Sequence, residues 1–345
     1  MSPDTLFLYR AGMKQAYRFP FFSLRLEGEP SLLGVLEEPF TQLCCRRDGG
    51  ERTDPLTFDL LPGRAPLAGE TDPFSWAPLF PEDPQRLQVD RERGAFLAAA
   101  GASRALVRPE RAEATLQLDP EDYTDLPHWE RRGLLVDTLL ALLSLHPCYT
   151  LHGALLARGG EGLVVTGAPG AGKTTLALAL VADGWNLMTD DNLLFRPLRE
   201  AAMGSGLRRL IYVKEDTRER FASLIARRTG LFNRQGTKEA IELENPEGGD
   251  PSRLEVPIRK VLFLERTDRE ETTWRPLLAR DAVPLLWRQA FALQAGGEGR
   301  PWFQALTELA RTSALVRVEG GGDLPGDRST AERIIADIDR QGGKG

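Results

Sequence analysis

A glycine-rich stretch that ends in lysine and threonine carries the clearest chemistry in this sequence. The residues from Gly167 to Thr174 fit the pattern G-x-x-x-x-G-K-[ST] of phosphate-binding loops. Glycines let successive backbone N–H groups turn toward phosphate oxygens, the lysine supplies a charge for the β- and γ-phosphates, and the threonine hydroxyl can ligate Mg²⁺. The predicted nucleotide-binding residues are Gly167, Ala168, Pro169, Gly170, Ala171, Gly172, Lys173, Thr174 and Thr175.

Two adjacent aspartates, Asp190 and Asp191, form the second candidate group. They follow a predicted strand, 186–189, and active-site residues collect at strand ends in open α/β sheets. Phosphoryl transfer uses one carboxylate to help hold Mg²⁺ and another to accept the proton of the attacking hydroxyl. Neighbouring strand positions point to opposite faces, so the two aspartates could divide these roles. A turn capped by aspartate is the alternative.

Two further residues, His152 and Glu265, each have a structural and a functional interpretation. His152 precedes Gly153 on a predicted strand, where glycine permits close backbone approach, yet a hydrogen-bonded core histidine fits equally well. Glu265 follows the apolar run 261–264, as the carboxylate of a Walker B motif would. Arg266 beside it predicts a surface ion pair instead.

The elements around the glycine-rich stretch predict how it is held. Residues 162–166 predict a short buried strand, and residues 174–181 are helix formers followed by Gly184, a typical C-terminal cap. Strand, glycine loop and helix form the context that the motif requires, because the helix N-terminus adds partial positive charge to an anion site.

The rest of the chain predicts a strand-rich first part and a mixed second part. Residues 1–125 lack sustained helical periodicity, which predicts a small α+β or mostly β domain. The remaining predicted elements are strands at 5–9, 21–26 and 115–118, proline-rich turns at 78–84, a buried helix at 126–145, a strand at 149–156, a turn at 158–162, a loop at 245–253, a helix at 283–293 with Pro284 in its first turn, a flexible connection at 320–327 and a helix capped by the box 329–332.

Composition excludes several classes of protein. Of 345 residues, 41% are hydrophobic and 27% are charged, which is typical of soluble globular proteins, and the length favours two domains, predicted at 1–125 and 126–345. The net charge of −6 argues against a general nucleic-acid binder. Cys44, Cys45 and Cys148 lack metal-binding spacing and indicate reduced thiols and a cytoplasmic location. The acidic N-terminus and the short apolar runs argue against a signal peptide and a membrane span.

Three separated motifs resemble those of a known family. His152-Gly153, the glycine-rich stretch and Asp190-Asp191 resemble, in order and spacing, the catalytic domain of HPr kinase/phosphorylase, with a match that runs from Leu151 to Asn192. The resemblance implies an α/β fold with a P-loop kinase core and a mixed sheet, of the type shared with phosphoenolpyruvate carboxykinase. A smaller strand-rich N-terminal domain would accompany it and help to form the acceptor site.

The same resemblance implies roles for individual residues. A basic residue is expected in a loop after the aspartates, and Lys238 is the candidate, with a solvated loop lysine as the alternative. The other implied roles are contact with the β- and γ-phosphates for Lys173, Mg²⁺ binding for Thr174 and Asp190, general base for Asp191, and a place near the transferred phosphate for His152.

We therefore expect an ATP- and Mg²⁺-dependent kinase that phosphorylates a hydroxyl, first of all serine in a peptide or small protein. The glycine-rich signature that follows the aspartates in HPr kinases is not visible. The layout is more similar to HPr-kinase-related proteins that tailor peptides, including kinases of lasso-peptide precursors. Small-molecule or pyrophosphate-dependent kinases and a non-catalytic nucleotide-binding regulator are the alternatives. We expect neither nucleic acid nor a membrane as a partner. The sequence does not decide whether the chain forms a homo-oligomer.

Overall fold

The computed structural model describes residues 13–48, 55–63, 76–80, 83–244, 255–290, 299–324 and 328–342. Within them the chain forms two compact units. The first comprises the residues up to Cys148 together with Gly299, and the second comprises the remaining residues from Tyr149 onward. This division differs from the predicted boundary at residue 125, because the helix His128–Leu142 packs on strands of the first unit. The predicted strand 5–9 and loop 245–253 lie outside the described residues.

The first unit is built on a nine-stranded sheet. Its elements are β1 Met13–Arg18, β2 Ser23–Gly28, α1 Pro30–Thr41, β3 Arg46–Asp48, β4 Leu56–Pro62, β5 Ala77–Pro78, β6 Leu87–Asp90, β7 Ala95–Ala100, β8 Ser103–Arg108, β9 Glu113–Leu118, α2 Pro120–Asp125 and α3 His128–Leu142. The strand order is β3-β1-β2-β4-β9-β8-β7-β6-β5. Strands β2, β4 and β9 run parallel, and the other neighbours are antiparallel.

Helix α1 lies in the region 1–125, whose sequence lacks sustained helical periodicity, and makes this unit α+β. Leu32, Leu36 and Phe40 recur at helical spacing and are buried where the helix packs on β2 and β4. Gly34 and Pro39 lie within the same stretch and weaken its helical signal, which explains why the sequence did not reveal it.

Two long strands link two sheets in the second unit. Its elements are β10 Tyr149–Arg158, β11 Glu161–Gly167, α4 Lys173–Ala182, β12 Asn186–Thr189, β13 Asn192–Pro197, β14 Ala202–Gly206, β15 Ile211–Val213, α5 Glu215–Arg220, β16 Ile225–Phe232, β17 Glu239–Leu243, β18 Val256–Arg266, β19 Thr273–Pro276, α6 Ala279–Gln289, α7 Arg300–Thr312, β20 Ala314–Gly320 and α8 Arg328–Gly342. Strands β10 and β18 pair with β11 in one sheet and with the β13–β14 hairpin in the other.

The strand directions in this unit are mixed, as the sequence predicted. Strands β11, β18 and β20 run parallel, while β10, β12, β13, β14 and β19 join antiparallel. A separate three-stranded sheet has the order β15-β17-β16. The mixed α/β character with several sheets is therefore confirmed.

Two apolar clusters cover the two faces of the parallel strands. Val165 and Leu262 pack with helices α4 and α8, while their chain neighbours Val164 and Val261 pack with α6 and α7. This alternation follows from the two-residue period of a strand that is buried on both faces. Among the described residues, no helix combines the length and apolar character that crossing a membrane requires.

Two predicted helix starts are corrected by the structure. Helix α6 begins at Ala279, so Pro284 lies inside the helix rather than in its first turn. The buried Ala282 and Val283 extend the apolar face toward the N-terminus and account for the earlier start. Helix α8 spans Arg328–Gly342, so the predicted box 329–332 lies within the helix.

Candidate active site

The glycine-rich loop joins β11 to α4, the context that its motif requires. Gly167, Gly170 and Gly172 have φ values of +150°, +81° and +97°. A Cβ on Gly167 would lie 2.1 Å from the carbonyl oxygen of Leu264 on β18, so only glycine fits where the loop leaves the sheet. Helix α4 begins at Lys173, and its first N–H groups therefore point toward the loop as an anion-binding end.

Lys173 is buried at the start of this helix. Its Nζ atom donates hydrogen bonds to the carbonyl oxygens of Gly167, at 2.9 Å, and Ala168, at 3.2 Å. Burial lowers the pKa of the ammonium group. Because its acceptors are neutral carbonyls, phosphate oxygens could replace them and gain a charge-assisted contact.

Three neighbouring strands position Asp191. The register of β10 on β13 pairs His152 with Asn192. Leu207, which follows β14, donates its backbone N–H to the Asn192 carbonyl at 3.0 Å. This register places His152 on one side of Asp191 and Arg208 on the other.

Both oxygens of the Asp191 carboxylate are held. Oδ1 lies 2.8 Å from Nδ1 of His152, and Oδ2 accepts a hydrogen bond from Nη1 of Arg208. The Arg208 side chain is 7% exposed, whereas that of Asp191 is 38% exposed. The arginine is therefore the buried member of the pair, and the carboxylate remains accessible from solvent.

Asp190 has a different environment from its neighbour. Its Oδ2 atom accepts a hydrogen bond from the Thr174 hydroxyl at 3.0 Å, which joins the strand end to the first turn of α4. Its Oδ1 atom is buried and has no hydrogen-bond partner among the described residues. Burial, and then the like charge of Asp191, raise the pKa of Asp190 to about 7.

Lys238 ends the loop between β16 and β17. The Asn233 side chain fixes this loop by accepting the backbone N–H groups of Thr237 and Lys238, each at 2.9 Å. The charge of Lys238 contributes to lowering the pKa of Lys173 and opposes the rise in the pKa of Asp190. The lysine is thus close enough to act electrostatically on both groups.

The sequence did not decide between a functional role and an ion pair for Glu265, and it did not predict that Arg208 lies in the site. Glu265 pairs with Arg317 on β20, with Nε and Oε2 separated by 3.0 Å, so the ion pair is present but its partner is not Arg266. Arg208 was visible only as part of a basic run, because its contact with Asp191 depends on the pairing of β13 with β14. A hairpin prediction at that point would have revealed it.

Comparison with known proteins supports the resemblance. No model of a known protein family matches the chain. A curated relative, the HPr kinase/phosphorylase of Polaromonas naphthalenivorans (strain CJ2), is 26% identical over 277 residues, which cover 73% of this chain and 84% of the relative. The chain is similar to this HPr kinase/phosphorylase over most of its length. The resemblance predicted from the three motifs is confirmed.

One solved structure also shows a weak similarity to this chain. The Hpr(Ser) kinase/phosphatase from Coxiella burnetii is 14% identical to it. The alignment covers 57% of this chain and 99% of the solved chain, at a TM-score of 0.29.

Proposed function

We propose that this protein transfers the γ-phosphate of ATP, with Mg²⁺, to a hydroxyl group, and that the acceptor is a serine of a peptide or small protein. The observation that carries the proposal is the arrangement around the glycine-rich loop. The Thr174 hydroxyl meets Asp190 at the N-terminus of α4, and Asp191 follows with both oxygens held. The name of the curated relative, a kinase/phosphorylase, supports the same reaction class.

The residues at Asp190 fit Mg²⁺. The buried Oδ1 atom has no hydrogen-bond partner in the described part of the chain, and the Thr174 hydroxyl is bonded to the other carboxylate oxygen. Mg²⁺ is commonly held by one or two carboxylates together with substrate phosphates. Bound there, the ion would neutralise charge on the β- and γ-phosphates.

The residues of the loop would bind the nucleotide. The N–H groups between Gly167 and Lys173 and the end of α4 suit phosphate oxygens, and Lys173 can exchange its carbonyl acceptors for them. Lys238 would add positive charge near the transferred group, since it already acts on Lys173 and Asp190.

Asp191 would accept the proton of the attacking hydroxyl. A carboxylate has about four lone-pair sites, and His152 and Arg208 each contact one oxygen of Asp191. The 38% exposure of the side chain gives an acceptor access to the carboxylate. General-base catalysis by a positioned carboxylate contributes roughly two to four orders of magnitude in rate.

The test combines an acceptor screen with a loop variant. Serine peptides, HPr and small hydroxyl compounds are incubated with labelled ATP and Mg²⁺, and phosphoserine is identified by mass spectrometry. Lys173→Ala should weaken ATP binding and transfer together, because its charge acts in both ground and transition states. Lys214→Ala removes a lysine outside the site and serves as the control.

Each alternative function has its own outcome in this screen. Wild-type ATP affinity and turnover in Lys173→Ala would contradict the loop assignment, and full activity in chelator would contradict the Mg²⁺ mechanism. Transfer to small compounds alone would indicate a small-molecule kinase, and pyrophosphate as the better donor would replace ATP. ATP binding without transfer to any acceptor would leave a nucleotide-binding regulator.

A further inference from the structure

Arg208 is a charged residue of this site to which the sequence motifs assign no role. Its side chain is 7% exposed, and a buried guanidinium is unfavourable unless a carboxylate compensates it. Asp191 supplies that carboxylate, and the ring of Tyr212 on β15 lies 5.6 Å from the guanidinium carbon. The arginine is therefore fixed between a strand and the carboxylate that it contacts.

The backbone fixes Arg208 as firmly as the side chain. The Leu207 N–H bonds to the Asn192 carbonyl at 3.0 Å, which continues the β13–β14 ladder past its last paired residues, Leu193 and Gly206. Arg208 therefore faces Asp191 as a cross-strand neighbour of opposite charge. Rotation of the arginine away from the carboxylate would leave its charge buried without compensation.

The two contacts on Asp191 have a specific geometric effect. The terminal torsion of an aspartate is broad, so a single hydrogen bond leaves the carboxylate free to rotate. His152 holds Oδ1, at 2.8 Å, and Arg208 holds Oδ2. Contacts at both oxygens remove this rotation and fix where the remaining lone pairs point.

Building on the proposed function, we propose that Arg208 is a positioning residue, which together with His152 locks the Asp191 carboxylate in the orientation that accepts the acceptor's proton. It acts through Asp191 and does not contact the phosphates. An ion pair that served only folding would change stability, and an arginine bound to phosphate would act independently of Asp191. These differences make the proposal testable.

The first experiment is structural and does not depend on transfer. Crystal structures of the wild type and Arg208→Met are determined with the ATP analogue AMP-PNP and Mg²⁺. We expect the Asp191 carboxylate in the variant to leave its contact with His152 or to occupy two orientations. An unchanged Asp191 in Arg208→Met would overturn the proposal, even if the protein proves not to be a kinase.

The matched variants keep this experiment interpretable. Arg209→Met removes an exposed charge from the neighbouring position and should leave Asp191 in place. Arg208→Lys keeps the charge but replaces the planar fork by a point charge, so it should hold Asp191 partially. It also replaces Arg208→Met as the test variant if that protein does not fold.

The second experiment is a double-mutant cycle in single-turnover rate, with the acceptor identified in the screen. Arg208→Met should slow transfer about 100-fold at unchanged ATP affinity, the loss typical of a slightly misplaced catalytic group. In the Asp191→Asn background the same change should cause no further loss, because its target is already absent. Arg208→Lys should recover part of the rate. A further 100-fold loss in the Asp191→Asn background would overturn the proposal and indicate direct phosphate contact.

Discussion

Each compact unit contains an arginine–aspartate ion pair, Arg86–Asp137 in the first and Arg208–Asp191 in the second. The two pairs differ in which side chain is buried. In the first unit Asp137 on α3 is 2% exposed and Arg86 is 41% exposed. In the second unit Arg208 is 7% exposed and Asp191 is 38% exposed. The buried member is thus the carboxylate in one pair and the guanidinium in the other.

We infer that the Arg86–Asp137 pair stabilises the fold, whereas the Arg208–Asp191 pair leaves a carboxylate accessible for reaction. Arg86 forms two parallel hydrogen bonds to Asp137, from Nε at 2.6 Å and Nη2 at 2.8 Å, and lies 4.6 Å over the ring of Phe80. The Asp137 carboxylate is covered and cannot meet a substrate. In the other pair the buried arginine leaves the Asp191 carboxylate accessible, so loss of Asp191 should impair the chemistry as well as stability.

Asp191→Asn should give the largest effect, and the effect should be on rate. The amide keeps the shape of the carboxylate but cannot accept a proton, so kcat should fall by roughly two to four orders of magnitude while ATP affinity is largely kept. Single-turnover transfer and nucleotide titration measure the two quantities. A near wild-type rate would show that Asp191 is not the base.

Arg86→Met should give the opposite result, a loss of stability with the chemistry retained. It leaves the Asp137 carboxylate buried without its cation, which should lower the free energy of unfolding by about 3 kcal/mol at neutral pH. Burial already raises the pKa of Asp137, and loss of Arg86 should raise it further. Because the protonated form is favoured in the folded state, the loss should be small in acid and grow as the pH rises through the folded pKa.

Urea unfolding at pH 4 and pH 7 measures this difference between Arg86→Met and the wild type. Arg111→Met, at an exposed position of the same unit, is the control and should change stability little at either pH. Equal stability of Arg86→Met and the wild type at pH 7 would remove the distinction between the two pairs.

The sequence predicted the local parts of the site and missed those that depend on distant pairing. The loop from Gly167 to Thr174 was predictable because the motif, the strand and the helix are contiguous. Arg208 was not, because it reaches Asp191 only through the β13–β14 register. The end of the first compact unit differs from the predicted boundary at residue 125 for a similar reason, since α3 packs on the distant strands β7, β8 and β9.

Asp190 adds a third case to the comparison, a carboxylate whose hydrogen-bond donor is a hydroxyl and not an arginine. Thr174 donates to Oδ2, while Oδ1 is buried without a partner among the described residues. Burial and the charge of Asp191 raise the pKa of Asp190 to about 7. Without nucleotide and metal, ionisation of Asp190 should therefore lower the free energy of unfolding.

The last predicted effect is the pH dependence of this loss of stability. The folded pKa lies above the unfolded value, so stability is favoured in acid and is lost as the pH rises through about 7. Asp190→Asn removes the ionisation and should match the wild type only below about pH 4, where the carboxyl is protonated in both states, yet exceed it by up to a few kcal/mol near pH 8 in chelator. Unfolding measured from about pH 3.5 to pH 8 tests this, with the exposed Asp268→Asn as a control that should show no pH-dependent difference. Adding ATP and Mg²⁺ should reverse the order, because ligands that bind the folded state stabilise it and Asp190→Asn should bind the ion less tightly. If Asp190→Asn is the less stable protein at pH 8 in chelator, the carboxylate is compensated in the folded state and its assignment to the metal loses its physical basis.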